Sequence, residues 1–126
     1  MTLFEECKEA LSADFCIVDG QDQKDVIDIL NKYPFVSGNV SWSEIEYSDY
    51  EGINELLNAN YIKNDAVFVF VDDASIPVFR TSLSLIAENI YDVTALSPKL
   101  FIFNNEIILQ PLFPTEVIRL GIKLDK

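Results

Sequence analysis

A chain of 126 residues with 21 Asp and Glu, 9 Lys and Arg and no His carries a net charge of −12, a field that repels nucleic-acid phosphates and anionic membrane surfaces alike. The absence of His removes every mechanism that needs an imidazole base or ligand, and 49% hydrophobic with 12% aromatic residues is far from a disordered composition. The length suits a single domain over residues 1–126 that needs no metal or disulfide to hold it.

In chain order, Thr2–Ser12 is predicted to be helical, with Thr2 and Glu5 spaced as a capping box and Leu3, Phe4, Cys7, Ala10 and Leu11 recurring at helical intervals. Asp14–Asp19 (DFCIVD) reads as a short buried strand closed by Gly20, with Cys16 a small core residue. Asp22–Lys32 is a second amphipathic helix, with Val26, Ile27, Leu30 and Tyr33 on one face and Pro34 as its stop. Gly38–Tyr47 alternates as a strand with one wet face. Tyr50–Asn60 follows as a helix. Ala66–Val71 (AVFVFV) reads as the central strand, buried on both faces. A helix is expected over Arg80–Asp92, then strands at Lys99–Phe103, Glu106–Gln110 and Val117–Lys123, the first two joined at Asn104–Asn105 as a hairpin. The sum is an α/β fold: a central mixed β-sheet covered by helices, parallel near DFCIVD and AVFVFV, with a C-terminal antiparallel hairpin.

Met1–Leu11 has three Glu where an export signal has a basic region, and no apolar stretch follows. With Cys7 and Cys16 as the only cysteines, the expectation is a cytoplasmic protein with two reduced thiols. The four Gly form neither GxxxxGK[ST] nor GxGxxG, there is no GxSxG, and two Cys without His do not make a zinc site. No cofactor and no enzymatic activity are expected.

Residues 1–65 hold 14 acidic and 4 basic side chains, so −10 of the charge lies there. Within that half, Trp42, Glu44, Glu46, Tyr47, Asp49 and Tyr50 interleave aromatic rings with carboxylates. That mixture offers steering charge and anchors to a basic partner, and it is equally the pattern of a core tryptophan beside a solvated face. Asp14, Asp19, Asp22, Asp25 and Asp28 form a second acidic group that reads as a solvated face first and a partner contact second. Asp72 and Asp73 follow AVFVFV, where a strand end is capped by a turn, a partner is met, or, with Asp19, a Mg²⁺ ion is held as in a receiver-like signalling domain. The receiver pattern fails in detail, since only Asp19 stands after the first strand and Lys99 precedes its strand.

Two stretches, AVFVFVDDASIPVFRTSLSLIAENIYDVTALSPKLFIFN (66–104) and FPTEVIRLGIKL (113–124), resemble immunity proteins of bacterial contact-dependent growth inhibition systems. The resemblance implies a small cytoplasmic protein that binds, one to one, the toxic C-terminal domain of a delivered effector. Such domains are commonly nucleases of tRNA or DNA, and their active sites are commonly what is blocked. An acidic chain facing a basic nuclease agrees with that expectation, with Asp72 and Asp73 joining the Trp42–Tyr50 group as candidate contacts. The rival expectations are the Mg²⁺-binding signalling domain and an acidic nucleic-acid mimic that inhibits another enzyme.

Overall fold

The computed structural model describes residues 2–122. The first helix, α1 (Leu3–Ala10), begins on the expected capping box: the Thr2 hydroxyl accepts from the Glu5 amide and the Glu5 carboxylate accepts from the Thr2 amide, both at 3.1 Å. Strand β1 (Phe15–Ile17) leads into α2 (Gly20–Leu30). A small hairpin, β2 (Phe35–Val36) and β3 (Asn39–Val40), turns on Ser37 and Gly38, whose φ values of 53° and 79° are what a two-residue hairpin turn requires. A 3₁₀ turn at Trp42–Glu44 precedes β4 (Glu46–Tyr50) and α3 (Ile53–Ala59). Then come β5 (Ala66–Val71), β6 (Phe79–Ser82), α4 (Leu83–Glu88), α5 (Ile90–Thr94), β7 (Leu100–Phe103), β8 (Ile107–Pro111) and β9 (Ile118–Ile122).

Seven strands form one sheet in the order β1-β6-β5-β7-β8-β9-β4. Val67, Val69 and Val71 of β5 face one side with Leu100, Ile102, Leu109 and Leu120, and α1, α3, α4 and α5 cover them through Cys7, Leu11, Leu56, Ile86 and Val93. Phe101, Phe103 and Ile108 face the other side, under Val26, Leu30 and Tyr33 of the α2 segment and Val40 of the hairpin. Because both faces are covered, all four residues of β7 are buried. Asn104 fastens the layers. Its side-chain amide donates to the carbonyls of Asn64 and Ala66, its oxygen accepts from the Glu106 and Ile107 amides, and its carbonyl accepts the Tyr33 hydroxyl at 2.7 Å.

The α/β class, the helix-covered sheet and the hairpin after Phe103 stand as expected. The parallel portion does not: among the described residues every ladder is antiparallel. Strands β1 and β5 do run the same way, but β6 lies between them and pairs with both. Three of the four residues of β6 fall within the expected Arg80–Asp92 helix, which in fact starts after Ser82, the cap whose hydroxyl accepts from the Leu85 amide, and is divided at Asn89 into α4 and α5. Strand β1 is an edge rather than a buried strand, so Cys16 is exposed. The expected Gly38–Tyr47 strand is broken at Trp42–Glu44, where the chain crosses from the small hairpin to the main sheet. The predicted end of the last strand at Lys123 lies outside the described residues.

Candidate partner-binding site

Strand β4 is the free edge opposite β1, and it pairs with β9 so that Tyr47 lies across from Gly121 and Asp49 across from Arg119. The 3₁₀ turn drops Trp42 onto the same face. A Cβ on Gly121 would sit 2.8 Å from the Trp42 ring and 3.1 Å from Ile108 and Ile45, so glycine is what admits the indole. The indole N–H donates to Gln110 at 3.1 Å, and the ring meets Tyr47 edge-on at 5.6 Å. The Arg119 guanidinium lies 4.4 Å from the Tyr47 ring centre and 5.5 Å from that of Trp42, within cation–π range. It also donates to both Asp49 oxygens, at 2.7 and 3.0 Å. Those bonds hold the Asp49 carboxyl below its usual range.

The expected contact residues therefore separate. Trp42, Tyr47 and Asp49 come together, around two residues that sequence reasoning passed over, Arg119 and Gln110. One signal was available: Arg119 sits between Ile118 and Leu120 in an otherwise apolar strand, and a cation there needs an acid opposite. Glu44 stands beside the group, while Glu46 alternates with Tyr47 in β4 onto the Tyr50 side of the sheet; both are exposed and without an ion pair among the described residues. Tyr50 points to the other face and packs against the helical core. Asp72 and Asp73 lie beyond β5, four strand spacings from β4 or about 19 Å. Asp73 caps its turn, accepting from the Ser75 amide at 2.9 Å and hydroxyl at 2.7 Å, which lowers its carboxyl.

Asp14 is 3.4 Å from Arg80, while Asp22, Asp25 and Asp28 stand on the exposed side of α2. Asp19 and Asp72 are parted by β6, and among the described residues no three His, Cys, Asp or Glu side chains are grouped to hold a metal ion. No helix among them is long and apolar enough to cross a membrane. No curated protein matches the chain. Among family models, the one described as CdiI immunity protein EcoliA0-like matches residues 1–121.

Proposed function

The chain belongs to the CdiI immunity protein family of contact-dependent growth inhibition, and on that premise we propose that it neutralises a basic nuclease toxin domain by binding it one to one in the cytoplasm and occluding its active site. The family match over nearly the whole chain carries this reading. The charge of −12 supports the nuclease and the steering: a domain that grips phosphates is basic, and opposite net charge raises association rates by orders of magnitude. The protein acts by binding, not by catalysis.

Glu44, Glu46 and the open side of Tyr47, which is 45% exposed, are the proposed first contacts on the β4 edge, with Trp42 as the packed support beneath. Asp49 contributes less because its carboxylate is already held by Arg119.

The test is stopped-flow mixing with the cognate toxin domain. Joint reversal of Glu44→Lys and Glu46→Lys is expected to slow association about tenfold at low salt and to leave dissociation nearly unchanged. Association rates indifferent to both salt and reversal would refute steering. Failure to form any complex would refute the neutralisation of that toxin.

A further inference from the structure

A cleft of about 540 Å³ opens on the helical side of the sheet, between the start of α3, the end of α5 and the 111–118 stretch joining β8 to β9. Its floor is apolar, built on Ile53 and Ile118, both buried, and on the half-buried Ile90. Its mouth carries two aromatic rings that stand in water: Tyr91 is 70% exposed and Phe113 67%. Both rings line the same cleft, so with its apolar floor they gather exposed apolar surface in one place.

The wall carrying Phe113 is a built turn. The Leu112 carbonyl accepts from the Thr115 amide at 2.9 Å and its hydroxyl at 2.6 Å, and the Leu112 amide donates to Val117 at 2.9 Å. Across the gap, the Tyr91 hydroxyl donates to Glu116. The rim adds Glu51 and Glu55, and no described residue lining the cleft is Lys or Arg. An apolar floor under an uncompensated acidic rim selects an occupant that is apolar at its tip and cationic beside it. A second copy of this chain is a poor occupant, because it brings twelve further net negative charges to the same rim.

We propose that the cleft is the socket for one segment of the cognate toxin domain, with an apolar side chain seated over Ile53, Ile90 and Ile118 and an adjacent Lys or Arg met by Glu51, Glu55 and Glu116. This rests on the immunity reading above and adds a second contact surface, on the sheet face opposite Trp42. The turn and the Tyr91–Glu116 bond prepare the socket before the partner arrives, so little ordering cost falls on binding.

Two substitutions at exposed lining positions test it in calorimetric titration with the cognate toxin domain. Ala95→Trp, at the end of α5, fills the cleft and is expected to weaken binding about thirtyfold or more; Glu116→Lys reverses the rim and is expected to weaken it about tenfold. Unchanged melting curves establish that each variant is folded. Binding by both variants within about twofold of the parent chain overturns the socket and leaves the immunity reading standing. A dimer that Ala95→Trp dissociates gives the cleft to a second copy and equally overturns it. No binding by the parent chain brings down the immunity reading, and the socket with it.

Discussion

The β4–β9 patch and the cleft are made of the same ingredients, aromatic rings and carboxylates, and they differ in what has been done with them. In the patch, the rings of Trp42 and Tyr47 and the carboxylate of Asp49 converge on a cation of the same chain, Arg119, 70 residues away from Asp49. In the cleft, Tyr91 and Phe113 are more than two-thirds exposed and the rim acids meet no cation among the described lining residues. An acidic–aromatic run in a sequence therefore does not by itself mark a docking surface. The chain's own arginine can answer it, while the unanswered version is assembled from segments that look unremarkable one at a time.

The contrast can be broken. The largest effect belongs to Trp42→Ala, which empties the space over Gly121 and strands Gln110; it is expected to cost about 3 kcal/mol in urea unfolding. A stability close to that of the parent would make the indole an anchor waiting for a partner rather than a packed element. A smaller effect is expected at Asp49. Its lowered carboxyl pKa means a stabilisation that is present above the ordinary carboxylate range and is lost as pH falls through the folded-state value. Asp49→Asn should therefore flatten the acid limb of the stability curve. Because the carboxylate is 39% exposed, solvent screening keeps the loss at neutral pH under about 1 kcal/mol. An acid limb identical to the parent's would leave the ion pair without energetic weight. Smallest of all, Phe113→Ser should change stability by no more than about 0.5 kcal/mol. A loss several times larger would show that the ring is part of the core and close the cleft as a socket.

Much of the fold was legible because its signals are local. Thr2 and Glu5 announce a helix start within four residues, AVFVFV is a strand by composition alone, and Asn104–Asn105 marks a turn between two apolar runs, although the register sets that turn one residue on, at Asn105–Glu106. The misreadings share one cause, which is dependence on distant partners. Phe79–Ser82 is a strand because β1 and β5 flank it, although its residues also continue the helical period of the segment behind it. Trp42–Glu44 breaks an alternating pattern because the chain must pass between sheets. Cys16 is apolar in its neighbours and wet in the structure because β1 is three residues long and lies at an edge. Of the site, Trp42, Tyr47 and Asp49 were visible and Arg119 left a faint signal in its apolar strand, whereas Gln110 and the meeting of all five become apparent only once β8, β9 and β4 are set side by side.

The two thiols, so different in setting, give the chain a ready-made reporter. Cys7 is wholly buried and burial pushes its thiol up to about 12, so at neutral pH it offers no thiolate. Cys16 is exposed on β1, six strand spacings from β4, or about 29 Å. A maleimide dye therefore marks one sulfur, at the sheet edge remote from β4. The unaltered chain, carrying no substitution at all, can then be followed by anisotropy as a partner closes on it.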